Sequence, residues 1–190
     1  MRIPLYFILA FLFSSCDMFS TRPSEEPESP RTNYNIATTP EILIQNLKDS
    51  FRDKVPENYM SCFIDSSFSG KRFTFLPSAE STSKYSFLLN WSIEGERSYF
   101  INLINTVTKN SPIILTLEKE EKNFSPDSTN YSAQYSISVP ETDDQKAKYY
   151  QGNLRFTMIR DNRLQWVIYR WEDIKDEDFL SWSELKGRYY

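Results

Sequence analysis

The side chains that most often carry out chemistry are sparse in this sequence, and the commonest is missing. The 190-residue chain contains no histidine. It therefore lacks the usual general base, the most frequent metal-ligating imidazole and the side chain that titrates near neutrality. Ser–His–Asp triads, histidine zinc sites and His–Asp dyads are excluded. Its two cysteines, Cys16 and Cys62, are too few for a thiolate zinc site, which takes four nitrogen or sulfur ligands. The acidic stretch EDIKDEDF from Glu172 to Phe179 lacks the glycine and the alternating oxygen ligands of an EF-hand loop, so it reads as solvated loop. Four glycines in the whole chain leave little room for a phosphate-cradling loop. No metal and no cofactor is expected.

Charge narrows the partners. A formal net charge of −4 and a pI near 5.1 give no basic footprint for a phosphate backbone, so nucleic acid is not an expected partner. The length suits one domain with a tail. The aromatic fraction of 16% suits a sheet-rich fold, since Phe, Tyr and Trp fill pleated, half-buried surfaces well.

Cys16 has the most informative neighbourhood. One positive charge, Arg2, precedes the apolar run IPLYFILAFLF from Ile3 to Phe13, and small residues Ser14 and Ser15 follow. This is the order of a secretory signal, and the run is well short of the roughly 20 residues that a spanning helix needs. FSSC resembles the lipobox of bacterial lipoproteins, with Phe13 departing from the usual leucine. The resemblance implies cleavage after Ser15 and a thioether diacylglycerol on Cys16, with a further palmitate-type acyl chain on its new amino group in many bacteria. Stable anchoring to the lipid bilayer would follow, since each buried methylene contributes about 0.8 kcal/mol. The expected location is the bacterial cell envelope, facing the periplasm or the surface. Asp17 resembles an inner-membrane retention signal and tilts the location that way. Cys62, in NYMSCFID beside Met60 and Phe63, reads as a small buried hydrophobe.

Three segments follow: a signal peptide over 1–15, a lipidated cysteine and flexible tether over 16–38, and a folded domain over 39–190. The tether is rich in proline and glutamate and would reach roughly 25 Å if flexible. In the domain, TTPEILIQNLKDSFRDK has Thr39 as cap, Pro40 at the first helical position and Ile44, Leu47 and Phe51 at helical spacing. A second helix starts at Pro56, and KRFTFLPS is a short strand. Ser92 caps a third helix carrying Phe100, Leu103, Ile104 and Val107 on one face. The period then changes to two. Ile113, Leu115 and Leu117 oppose Ile114, Thr116 and Glu118, and Tyr131, Ala133, Tyr135, Ile137 and Val139 oppose four polar residues. LEKEEK guards an exposed edge. YYQGNLRFTMI and LQWVIYRWED form a hairpin across RDNR, and Ser181 and Glu184 are spaced as a capping box.

Helices followed by long antiparallel strands give an α+β class. About three helices inside a cone-shaped, strongly curved antiparallel sheet would bury both sets of apolar faces. This order over residues 39–190 resembles the nuclear transport factor 2-like (SnoaL-like) superfamily. The resemblance is carried by the opening helix pair, by GNLRFTMIRDNRLQWVIYRWED with its Trp-x-Asp ending, and by SWSELKGRYY. It implies a pocket between sheet and helices, which enzymes of the superfamily line with Asp, Tyr or His. Tyr131, Tyr135 and Arg155, with Arg170, are the residues that could line it here. Aromatic packing is the competing reading for the tyrosines and a solvated face for the arginines. Asp173, at the end of the last strand, reads as a cap or loop residue. With no inward-facing carboxylate identified, no catalytic residue is assigned. The expectation is a membrane-anchored, non-catalytic envelope module that binds an apolar small molecule or an envelope protein. The alternative is an isomerase- or dehydratase-type enzyme using Tyr and Asp.

Overall fold

The computed structural model describes residues 33–108, 110–125, 127–140 and 147–190. The expected signal segment, Cys16 and Asp17 lie outside the described residues, as does the expected tether up to residue 32. Its last residues are docked: the backbone N–H and C=O of Asn35 bond the Asn46 side chain at 3.0 and 2.5 Å, and Trp166 N–H donates to the Ala37 carbonyl at 2.7 Å.

Helix α1 (Pro40–Asp53) is capped by the Thr39 hydroxyl and turns Leu43, Leu47 and Phe51 into the core. Lys54, in the left-handed region, stops it, and α2 (Pro56–Met60) restarts at a proline. After strand β1 (Thr74–Leu76) comes a helix that hydrophobic periodicity could not announce, α3 (Ala79–Lys84, AESTSK). It has no apolar stripe and is held through buried hydroxyls, with Ser78, Ser81 and Ser181 mutually bonded at 2.9–3.1 Å. Helix α4 (Ile93–Thr106) has Ser92 as its cap, as the sequence predicts. Strands β2 (Ile114–Ser125), β3 (Ser128–Pro140), β4 (Ala147–Arg160) and β5 (Trp166–Lys175) follow as an antiparallel meander. Helix α5 (Trp182–Tyr189) closes the fold, with the Ser181 hydroxyl accepting from Glu184 N–H at 3.2 Å.

The sheet differs from the expected cone. Its five strands run in the order β1-β5-β4-β3-β2, and β1 pairs with β5 in parallel, so the sheet is mixed. The short β1 and the long β2 lie at opposite edges with three strands between them. No ladder joins them, and the sheet is neither closed nor strongly curled. The physical reason is that β1 offers only three residues for pairing, too few to continue the ladder around. Among the described residues there are five α-helices, rather than about three. The alternation on β3 holds: Tyr131, Ala133, Tyr135, Ile137 and Val139 are all buried. Aromatic edges lock the layers together, with Trp171 meeting Trp182 at 4.5 Å and Phe51 meeting Phe100 at 5.2 Å. Contacts of this kind each contribute about 0.5–1.5 kcal/mol beyond the area they bury.

Candidate functional site

Period two on β5 decides the first buried acid. Trp171 faces the core, so Asp173, two residues on, faces it too. Its carboxylate is fully satisfied. Oδ1 accepts from the Tyr135 hydroxyl at 2.7 Å, and Oδ2 accepts from the Ser183 N–H at 2.7 Å and the Ser183 hydroxyl at 2.5 Å. The Tyr135 oxygen in turn accepts from Trp182 N–H at 2.7 Å. Tyr135 stands on β3 and Asp173 on β5, so the phenol must cross β4. It does so over Gly152, its own cross-strand partner, where a Cβ would lie 2.7 Å from the Tyr135 oxygen and 2.6 Å from the Ile174 carbonyl. Burial pushes the Asp173 carboxyl above the ordinary carboxylate range, although the Ser183 and Tyr135 hydrogen bonds pull it back. Burial, and then the Asp173 charge, pushes Tyr135 far up, so the phenol keeps its proton.

A second cluster lies between α4 and α5. Glu96 sits on the apolar stripe of α4, with Phe100 and Leu103 one and two turns on, and is fully buried. Its Oε1 accepts from the Tyr59 hydroxyl at 2.5 Å, and its Oε2 accepts from Trp91 Nε1 at 2.6 Å and from the ammonium of Lys186. Lys186 is equally buried, in a cage of ring faces: its Nζ lies 3.8 Å from the Trp171 centroid and 4.2 Å from that of Phe75, with Tyr99 and Trp91 just beyond 5 Å. Burial lowers the ammonium to about 8, against the opposing pull of Glu96 and Asp173. The cation–π faces and the carboxylate keep a cation tolerable in an otherwise apolar interior. Trp182, bonded through Nε1 to the Tyr99 hydroxyl at 3.1 Å, lies between the two clusters.

A cavity of about 780 Å³ opens on the other side of Trp91. Met60, Phe63, Ile64, Phe73, Trp91 and Ile93 form its apolar walls, and Arg72, Arg97 and Arg163 are among its charged residues. It does not reach Asp173. Trp91 is the shared element, lining the cavity and donating its N–H to Glu96. Gly95 lets the indole lie close against α4, since a Cβ there would already touch it at 3.4 Å.

Of the residues named in the sequence as able to line a pocket, only Tyr135 joins a constellation. Tyr131 is buried among aromatics, 6.1 Å from Phe156, and burial raises its phenol. Arg155 and Arg170 are exposed, and Arg155 pairs with Glu172 at 3.6 Å. Cys62 is a buried free thiol, raised by burial. Asp173 is corrected from cap or loop residue to buried strand residue. Among the described residues no group of three acids or cysteines could hold a metal, and no helix is long and apolar enough to cross a membrane. The expected non-catalytic reading of the domain is overturned at its premise, the lack of an inward-facing carboxylate: the interior holds both Asp173 with Tyr135 and Glu96 with Lys186. A sequence signal existed for each. Asp173 keeps the alternation with Trp171, Glu96 interrupts an apolar helical stripe, and Lys186 follows Trp182 by four.

No family model matches the chain, and no curated protein matches it in sequence. Solved structures do match. A conserved protein from Planctomyces limnophilus shares 12% identity at a TM-score of 0.55, over 70% of this chain and 89% of that one. A candidate dehydratase of the nuclear transport factor 2-like family from Streptomyces avermitilis shares 9% at 0.52, over 70% and 90%. A candidate scytalone dehydratase from Novosphingobium aromaticivorans shares 12% at 0.53, over 70% and 78%. On these likenesses the chain shares the fold of these structures, one of which is described as nuclear transport factor 2-like.

Proposed function

We propose that this protein is a small-molecule enzyme of isomerase or dehydratase type, working by acid–base chemistry through buried carboxylate–tyrosine pairs. The observation that carries the reading is the 2.7 Å hydrogen bond between the Tyr135 hydroxyl and Asp173 Oδ1, both shielded from water. A carboxyl raised by burial accepts a proton from carbon more readily than an ordinary one, and a phenol that keeps its proton donates to the oxygen where negative charge develops. In an isomerase the proton returns to a different carbon; in a dehydratase it leaves with a β-hydroxyl as water. In the form described here the indoles of Trp91 and Trp182 keep water from both carboxylates, and a substrate in the cavity reaches Asp173 only once these side chains move aside. The two candidate dehydratases of the same fold support the choice of reaction class.

Both reaction types begin by removing a proton next to a carbonyl, so the test is deuterium uptake by a panel of cyclic ketones and β-hydroxyketones in D2O, followed by proton NMR. The wild-type protein is expected to accelerate uptake. Asp173→Asn and Tyr135→Phe are expected to lose about 100-fold or more while keeping a folded circular dichroism spectrum. Wild-type rates equal to buffer, or variants as fast as wild type, defeat the proposal.

The lipobox reading belongs to the same proposal as its address. A mature chain beginning at Cys16 and carrying an added diacylglycerol mass is expected in the membrane fraction. In Cys16→Ser both the mass and the membrane association are expected to disappear. Unmodified, soluble protein in both cases removes the anchor and leaves the chemistry untouched.

A further inference from the structure

We propose that the cavity at Trp91 takes a flat aromatic carboxylic acid, its ring against Phe63, Phe73 and Trp91 and its carboxylate held between Arg72 and Arg97. The volume of about 780 Å³ lies within the range of small-molecule sites, which are mostly apolar with a few placed polar groups. Three of the lining residues, Phe63, Phe73 and Trp91, are aromatic, which favours a planar ring over a bulky aliphatic one.

The charges select the acid. Arg163 is already committed, with its guanidinium on Asp161 at 2.6 and 2.8 Å and lying 4.0 Å from the Phe68 ring centroid. Arg72 and Arg97 have no ion-pair partner among the described residues. Two of the three lining carboxylates are engaged close to home. Asp65 accepts the Ser67 N–H at 2.8 Å, and Glu94 is held low first by the Ser92 hydroxyl, with Arg97 a smaller influence. Glu57 remains against two open guanidiniums, each suited to bidentate carboxylate recognition. A ring so held lies on the indole whose N–H bonds Glu96, which brings it to the edge of the acid–base cluster. The inference rests on the proposed enzyme only in taking that cavity as its substrate site.

Calorimetry with 2-naphthoate and its neutral analogue 2-naphthamide tests it. An NMR readout of the Trp91 indole N–H, assigned through Trp91→Phe, locates the binding. Saturable 2-naphthoate binding is expected, about 10-fold or more tighter than that of the amide, with the Trp91 resonance shifted. The Arg72→Gln/Arg97→Gln double variant changes only exposed side chains and is expected to lose that preference at unchanged melting temperature. Asp173→Asn is expected to bind as wild type does, so a failure of proton exchange and a failure of binding are told apart. Absent binding, an amide as tight as the acid, an unaffected double variant or an unmoved Trp91 resonance each overturns the proposal.

Discussion

Glu96→Ala is expected to cost about 3–5 kcal/mol of folding stability, the usual consequence of removing one member of a fully buried ion pair. The loss has three parts. Lys186 is left without its counter-charge in a site closed by four rings, and the Tyr59 hydroxyl and Trp91 Nε1 lose their acceptors. For a chain of this size the melting temperature should fall by on the order of 10 °C, which thermal denaturation by circular dichroism reads directly. The double variant Glu96→Gln/Lys186→Met should recover most of the loss. The glutamine carbonyl oxygen still accepts from Trp91 Nε1 while its NH2 donates to the Tyr59 hydroxyl oxygen, and methionine fills the lysine's volume among the rings without a charge. A single alanine variant within 1 kcal/mol of wild type would mean that the pair is not buried as described.

Gly152→Ala is expected to be nearly as damaging, although it adds one methyl group to a strand. The added carbon would meet a backbone carbonyl at 2.6 Å and the Tyr135 oxygen at 2.7 Å, and only the tyrosine can move. Overpacking of this kind costs about 1–3 kcal/mol. Displacing the phenol also removes an acceptor from Trp182 N–H and a donor from Asp173, each a further 1–3 kcal/mol or so. The signature is paired: lower stability together with slower proton exchange. Retained activity at wild-type stability would mean that Tyr135 does not depend on this crossing.

Elements with a clean period were legible in the sequence. The caps at Thr39 and Ser92, the alternation on β3 and the hairpin around Asp161 all follow from local spacing, and the structure has them. Helix α3 was hidden because its anchor is a set of serine hydroxyls supplied from about 100 residues away, which no local period records. Sheet closure depends on how many residues each edge strand offers, and β1 offers only three. The site was half visible. Tyr135 stood out by alternation, yet its partner is two strands away, and the glycine that permits their contact carries no side chain to notice. Glu96 and Lys186 lie on the apolar faces of their helices, but 90 residues separate them, so local spacing does not pair them.

Helix α5 contributes Trp182, Ser183 and Lys186 to both clusters, and that has a consequence for biosynthesis. Until residue 186 has emerged from the ribosome, a nascent chain carries an acid on α4 without its cation and an acid on β5 without its serine. Completion of the interior therefore waits for a segment made 90 residues after Glu96.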